Sequence, residues 1–197
     1  MSFVPFVFDV FLPSQNMTNP WNTKQILVTG AGGFIGSQLV ERLAGAGAQV
    51  RAFVRYNSRR DPGLLRFLPS ELASQVELLD ADLRDPDAMR AAVKGCAVVF
   101  HLGALISIPY SYRHPYEVAE TNVMGTLNVL LACRDLGVER LVHTSTSEVY
   151  GTARRVPIDE SPDCYKPADE VIKAVTDAGL AEVQVRLSPI ASIKGND

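Results

Sequence analysis

Three glycines at a fixed spacing, Gly30, Gly33 and Gly36, constrain the fold of this chain more than any other feature of its sequence. They follow an apolar run at 25–29, which predicts a buried parallel strand. They open a segment at 34–46 whose apolar residues recur at helical spacing. A turn of this kind brings main-chain amides and a helix N-terminus close to a phosphate. Between a strand and a helix, it indicates dinucleotide binding.

Strands and helices alternate along the rest of the first 150 residues. This order predicts an α/β fold, a doubly wound parallel sheet (Rossmann fold) with helices on both faces. Residues 55–74, which are polar and rich in arginine, are predicted to form a loop. The predicted strands are 49–54, 76–79, 97–102 and 139–145, and the predicted helices are 85–94 and 116–136. The apolar residues of the last helix that are expected to face the sheet are Val118, Val123, Leu127, Leu130, Leu131 and Ala132.

The ends of the chain differ from this pattern. Residues 1–23 are predicted to be a flexible N-terminal extension, and 24–162 a dinucleotide-binding domain. Residues 163–197 form a divergent segment, with a helix expected at 168–178 and a strand at 182–187. The apolar start of the chain is too short for a membrane span and has no basic residue before Lys24, so no membrane association is expected.

Charge and cysteine content narrow the function classes. The net charge is −3, so no basic field attracts nucleic acid. The three cysteines, Cys96, Cys133 and Cys164, form no CxxC pair. We therefore expect buried thiols, no metal site and a cytoplasmic location.

The end of the second predicted strand bears on the choice of cofactor. An acidic residue there binds the ribose 2′-hydroxyl of NAD, whereas an arginine accommodates the 2′-phosphate of NADP. Here Arg55 follows the strand, Arg59 and Arg60 lie further along the same segment, and no carboxylate lies between Val54 and Asp61. This favours NADP, and NAD held by other groups remains the alternative.

Polar residues follow two further strands. Asp82 is expected to cap the turn after the strand at 76–79. His101, at the end of an apolar strand, is interpreted as a structural histidine. Hydroxyls and one carboxylate follow the strand at 139–145, at the edge where parallel sheets bind their ligands, or else form a turn.

Five segments together resemble the extended short-chain dehydrogenase/reductase family, the NAD-dependent epimerases and dehydratases. They span about 24–162: TGAGGFIGSQLVERL, DADLRD, HLGALISIPYSY, TNVMGTLNVLLACRDLGVERLVHTSTSEVYG and VPIDESP. Within that family the chain most resembles nucleotide-sugar 4,6-dehydratases of the legionaminic-acid-pathway type, through RAFVRYNSR and ISIPYSY. The resemblance implies NAD or NADP as cofactor, a nucleotide-sugar substrate and a homodimer through helix 116–136.

The resemblance also implies individual roles. Thr146 would bond the sugar 4-hydroxyl, Ser147 would act as acid, and Glu148 would take the C5 proton. The reaction would be hydride transfer from C4, water elimination and hydride return at C6. The implied cofactor-binding residues are Gly30, Gly33, Phe34, Ile35, Gly36, Arg55, Asp82, Leu83, Leu102, Gly103, Ala104 and Asn122.

The sequence departs from the family at one motif. Members carry Tyr-x-x-x-Lys, in which the lysine lowers the tyrosine pKa so that the phenolate takes the C4-hydroxyl proton. Here Tyr165 is followed four residues later by Asp169. The resemblance also implies that most of a C-terminal substrate domain is missing. We expect a dehydratase-like protein of weak or no activity. The alternatives are a relative of 4-epimerases or UDP-glucuronate decarboxylases, or a non-catalytic dinucleotide-binding module.

Overall fold

The computed structural model describes residues 21–146, and a parallel sheet of five strands forms its centre. The strands run β3-β2-β1-β4-β5 across the sheet, which is the order of a doubly wound fold and confirms the predicted fold class. Their bounds are β1 (Gln25–Thr29), β2 (Gln49–Arg55), β3 (Val76–Ala81), β4 (Val98–His101) and β5 (Arg140–His143).

Helices cover both faces of the sheet. The predicted helices after β1 and β3 are present, and Asp85 caps the second of them by accepting from the main-chain N–H groups of Asp87 and Ala88. The helices are α1 (Phe34–Gly45), α2 (Ser70–Ala73), α3 (Pro86–Val93), α4 (Ile108–Arg113), α5 (Pro115–Ala119) and α6 (Gly125–Asp135), with a 3₁₀ turn at Gly63–Phe67.

Two apolar clusters fill the space between sheet and helices. Alternate residues of β1 point to opposite faces, so Ile26 and Val28 join the cluster under α1 and Leu27 joins the cluster under α3 and α6. Trp21 packs against the first cluster, so the segment 21–23, assigned above to the extension, contacts the domain. No helix between residues 21 and 146 is long and apolar enough to cross a membrane.

The segment 55–74 is not entirely a loop. It contains the 3₁₀ turn and α2. Leu65, in the 3₁₀ turn, is buried in the first cluster, so this otherwise polar segment packs against the domain. Helix α4 was also not predicted from the sequence. Cys96 and Cys133 are buried, as expected, and Cys164 lies outside the described residues.

The single helix predicted at 116–136 is interrupted. A π-helical turn, Glu120–Met124, separates α5 from α6. Its extra residue changes the helix phase, and the buried residues of α6 are Gly125, Val129, Ala132 and Cys133. The expected packing face was therefore largely wrong: Ala132 is buried and Val118 and Leu130 are half-buried, whereas the exposed members are Val123, Leu127 and Leu131.

Candidate functional site

The carboxyl ends of β1 to β4 border one cleft. It lies where the strand order reverses between β1 and β4, the position at which doubly wound sheets bind ligands. Six of the residues predicted to bind the cofactor line it: Gly30, Arg55, Asp82, Leu83, Gly103 and Ala104. Leu102 instead packs against the apolar cluster under α1.

Two positions of the glycine-rich turn, Gly30 and Gly36, leave no room for a side chain. Gly30 has a φ of +68°, and a Cβ on it would lie 2.8 Å from the main-chain nitrogen of Gly103. A Cβ on Gly36 would lie 2.2 Å from the carbonyl oxygen of Gly30. The turn is closed by a hydrogen bond from Gly33 N to Gly30 O of 3.0 Å. Close contact between β1, α1 and the loop after β4 therefore requires Gly30 and Gly36, whereas a Cβ on Gly33 would lie 3.3 Å from Gly30 O.

The N-terminus of α1 offers its amides to a ligand. Gly33 is the N-cap residue and has no side chain to cap the helix, and the first turn contains no acidic residue. The first main-chain N–H groups of a helix lack partners inside it, and the helix dipole favours an anion there. Phe34 and Ile35 begin the helix and are 72% and 45% exposed, and because their side chains are apolar, their main-chain amides are the part suited to a diphosphate. These features fit a dinucleotide.

The segment after β2 packs against this turn, which sequence reasoning missed. Leu64 N donates to the carbonyl oxygen of Gly32 at 2.9 Å. Gly63 has a φ of +67°, and a Cβ there would lie 2.4 Å from the same oxygen. Asp61 accepts from Gly63 N and tightens the bend. The Pro62–Gly63 pair was the signal for a bend at this point.

His101 lies at the centre of a buried chain of hydrogen bonds. Its Nδ1 is 2.7 Å from Thr29 Oγ1 and its Nε2 is 3.1 Å from Thr126 Oγ1. Because Thr126 donates its hydroxyl proton to Asn122 O, His101 donates from Nε2 and accepts at Nδ1. Thr29 Oγ1 also accepts from Gly103 N. His101 is therefore a fully bonded structural histidine, as predicted.

The chain of hydrogen bonds requires a neutral imidazole. Burial, with a smaller contribution from stacked His143, lowers the pKa of His101 to about 4. A proton on Nδ1 would lose the bond from Thr29 and place an uncompensated charge in the core.

Two asparagines hold the loops that border the cleft. Asn122 bonds both main-chain groups of Leu105, accepting from its nitrogen at 2.7 Å and donating to its oxygen at 2.8 Å. Asn128 donates to Leu83 O at 3.0 Å. Asn122 thus positions Leu105, which lines the cleft after β4. Contact between Asn122 and a cofactor stays a prediction.

Asp82 is held by its neighbour Arg84. Its carboxylate accepts from the main-chain nitrogen of Arg84 at 2.9 Å and from the Arg84 guanidinium at 3.0 and 2.7 Å. The side-chain hydrogen bond from Arg84 is the main cause that lowers the pKa of Asp82. The prediction that Asp82 caps this turn is confirmed.

Arg55, predicted to meet a ribose phosphate, already has a partner. Its Nη2 lies 2.7 Å from Glu117 Oε1 on α5, and the other carboxylate oxygen of Glu117 accepts from the hydroxyl of Tyr110 on α4. The bond from Tyr110 and then that from Arg55 lower the pKa of Glu117. The sequence provided no signal for this contact, since 62 positions separate Arg55 from Glu117.

Of the residues expected to act on the sugar, only Thr146 lies within the described part of the chain. Thr144 N donates to His101 O, which continues the pairing of β4 and β5 towards the cleft edge. Thr146 is the last described residue, two positions further on. Ser147, Glu148 and Tyr165 lie outside the described residues.

Comparisons with known proteins agree on the kind of protein. A family model described as GDP-mannose 4,6 dehydratase matches residues 27–168. The 2-alkyl-3-oxoalkanoate reductase of Stenotrophomonas maltophilia is 37% identical over 82% of this chain and 49% of its own length. The UDP-glucose 4-epimerase of Mycolicibacterium smegmatis is 40% identical over 68% of this chain and 42% of its own length.

A solved structure supports the same relationship. It is UDP-glucose-4-epimerase from Stenotrophomonas maltophila with bound NAD and formylated UDP-arabinopyranose, and it is 26% identical with a TM-score of 0.65. The alignment covers 79% of this chain and 48% of that one. The chain spans about half the length of these curated relatives.

Proposed function

The chain belongs to the GDP-mannose 4,6-dehydratase family of extended short-chain dehydrogenases/reductases, and from that premise we propose that it binds NAD or NADP and a nucleotide sugar. The specific activity that we propose is that of a nucleotide-sugar 4,6-dehydratase. The uncapped N-terminus of α1 beside the glycine-rich turn carries the cofactor half of this proposal.

The cofactor would be held mainly by main-chain groups. Gly30, Gly33 and Gly36 with the amides of Phe34 and Ile35 would bind the diphosphate, and Asp82 and Leu83 would border the adenine. Gly103 and Ala104 would line the nicotinamide side, with Leu102 behind them and Asn122 supporting the loop. The nicotinamide would supply a hydride acceptor and donor at the sugar ring.

The sugar chemistry rests on residues that follow β5. Thr146 would hydrogen-bond the 4-hydroxyl of the sugar, Ser147 would donate a proton to the departing C6 hydroxyl and Glu148 would remove the C5 proton. Because Tyr165 has Asp169 where the family motif has lysine, we propose weak or no turnover. A 4-epimerase-like or decarboxylase-like reaction is the alternative within the family.

A non-catalytic dinucleotide-binding module is the second candidate. The specific observation that favours it is the combination of an intact glycine-rich turn with the absent Tyr-x-x-x-Lys spacing. We also propose a cytoplasmic location and a homodimer through 116–136, where Val123, Leu127 and Leu131 are exposed apolar residues at intervals of four.

Titration of NADH and NADPH by fluorescence tests dinucleotide binding. Gly33→Asp places a carboxylate at the N-terminus of α1, where it caps the helix and repels a diphosphate, so affinity for both cofactors should fall at least about tenfold. Gly45→Ala, at the other end of α1, is the matched control and should bind as the wild type does. Equal binding by Gly33→Asp and the wild type would contradict the proposed site.

Product analysis with nucleotide sugars separates the two candidates. A 4-keto-6-deoxy product, even at low yield, would support the dehydratase. A C4-inverted product would support the epimerase. Cofactor binding with neither a product nor binding of a nucleotide sugar would support the non-catalytic module.

A further inference from the structure

We propose that Glu117 determines the preference of the cleft between NAD and NADP by holding Arg55 in an ion pair. This inference rests on the proposed function, because it concerns the same dinucleotide site. It reverses the preference for NADP that the sequence around Arg55 suggests.

The ion pair lies at the edge of the cleft. Arg55 is the last residue of β2 and lines the cleft, and its guanidinium donates to Glu117 Oε1 at 2.7 Å. The hydroxyl of Tyr110 donates to the second oxygen of Glu117. The side chain of Glu117 is 24% exposed, compared with 57% for that of Arg55. The carboxylate is therefore fixed from two sides, whereas the guanidinium remains open to solvent and to a ligand.

The end of β2 is the point where a doubly wound sheet distinguishes the two cofactors. A carboxylate there accepts a hydrogen bond from the ribose 2′-hydroxyl of NAD, whereas an arginine pairs with the 2′-phosphate of NADP. In this chain, α5 brings a carboxylate to the same place from 62 positions away. The tertiary structure thus supplies the acidic residue that is missing after β2.

Charge decides which ligand this arrangement favours. A 2′-phosphate carries about two negative charges, so it must either displace Glu117 from Arg55 or bind beside a fixed carboxylate. A ribose 2′-hydroxyl is neutral and can donate to that carboxylate. The neighbouring cation, Arg84, is bonded to Asp82, and its Nη1 lies 3.5 Å from Glu120 Oε2, so it adds no unshared positive charge. Arg59 and Arg60 are exposed in the segment after β2, and the ion pair removes Arg55 from the charges that a 2′-phosphate would meet. The ion pair therefore favours NAD.

Fluorescence titration of the whole chain with NADH and NADPH tests the inference. The wild type should bind NADH more tightly than NADPH. Glu117→Gln replaces the carboxylate with a neutral amide of similar shape, so the charge of Arg55 becomes available to a ligand. Affinity for NADPH relative to NADH should therefore rise about tenfold. Glu120→Gln, which changes the carboxylate beside Arg84, is the matched control and should leave the ratio unchanged. Adding Arg55→Gln to Glu117→Gln should abolish the gain.

A second variant keeps the test informative if Glu117→Gln does not fold. Tyr110→Phe removes one of the two donors to Glu117 without changing a charge, and it should shift the ratio towards NADPH by a smaller factor. Tight binding of NADPH by the wild type, or an unchanged ratio in both variants, would overturn the inference while leaving the dinucleotide site in place. Failure of every folded variant to bind either cofactor would instead overturn the proposed function.

Discussion

The two strands that meet at the centre of the cleft, β1 and β4, end in different ways. After β1 the chain forms a site from main-chain groups, in which Gly30 and Gly36 exclude side chains and the N-terminus of α1 has no cap. After β4 the chain forms its edge of the cleft through side chains, with His101 bonded to two threonines and Asn122 bonded to Leu105. The half of the cleft after β1 thus requires that Gly30 and Gly36 carry no Cβ atom, whereas the half after β4 requires hydrogen bonds between polar side chains.

This difference predicts different sensitivities. The main-chain half should keep its stability when the pH changes, and it should lose stability when a methyl group is added at Gly30 or Gly36. The side-chain half should tolerate small changes of side-chain volume, and it should lose stability when a hydrogen bond is removed or His101 is protonated.

Gly36→Ala should have the largest effect. Its Cβ would meet the main chain, 2.2 Å from Gly30 O and 2.9 Å from Ala31 Cα, so α1 would have to move away from β1. We expect a loss of about 3 kcal/mol or more in the free energy of unfolding, measured by urea denaturation. Gly45→Ala lies in the same helix, where a Cβ meets only Leu72 Cδ1 at 4.0 Å, and should be neutral or slightly stabilising. Equal stability of the two variants would refute the packing argument.

Acidification should destabilise the side-chain half. In the unfolded chain His101 takes up a proton below the ordinary histidine pKa of 6.5, whereas in the folded protein it does so only near its lowered pKa of about 4. The unfolded state therefore binds more protons in this window, so stability is complete above pH 6.5 and falls as the pH drops towards 4. The contribution of His101 to this loss should reach roughly 3 kcal/mol.

Urea titrations across this pH range measure the effect. His101→Leu should be less stable than the wild type at neutral pH, because Thr29 and Thr126 lose their partner, and its stability should vary less between pH 6.5 and 4. His114→Leu changes an exposed histidine and should keep the pH dependence of the wild type. The same pH dependence in His101→Leu as in the wild type would contradict the assignment.

Asn122→Ala should have an intermediate effect. It removes both hydrogen bonds to the main chain of Leu105 and should cost about 2 kcal/mol by urea denaturation. Because Leu105 lines the cleft, NADH affinity should also fall. Asn128→Ala removes one bond, to Leu83 O, and should cost about 1 kcal/mol. A smaller cost for Asn122→Ala than for Asn128→Ala would argue against its role at the β4 edge.

We expect the smallest loss of stability at the N-terminus of α3, which has a side-chain cap, unlike that of α1. Asp85 caps α3, so Asp85→Ala should cost about 1 kcal/mol in urea denaturation and leave NADH affinity unchanged. Gly33→Asp should mainly reduce NADH affinity, and because its Cβ would lie 3.3 Å from Gly30 O it should cost much less stability than Gly36→Ala. If Asp85→Ala weakened NADH binding as much as Gly33→Asp, the distinction between a capped helix and an open one would not hold.

Local requirements explain why much of the fold was predictable. The bounds of β1 were correct, and α1 was predicted to within a residue at its C-terminal end, because an apolar run, a glycine-rich turn and a helical repeat follow each other without interruption. The long helix was predicted less well. A π turn at Glu120–Met124 changes its phase, and apolar spacing alone does not show which side of a helix packs on the sheet.

The amino-acid sequence by itself determined the main-chain half of the cleft, because a positive φ at Gly30 and a missing Cβ at Gly36 are properties of the residue at its own position. Only the tertiary structure decided which side chains meet. It joins Thr29 to His101 across 72 positions and Arg55 to Glu117 across 62. Such pairs form when packed strands and helices bring distant segments together, and no local pattern in the chain records them.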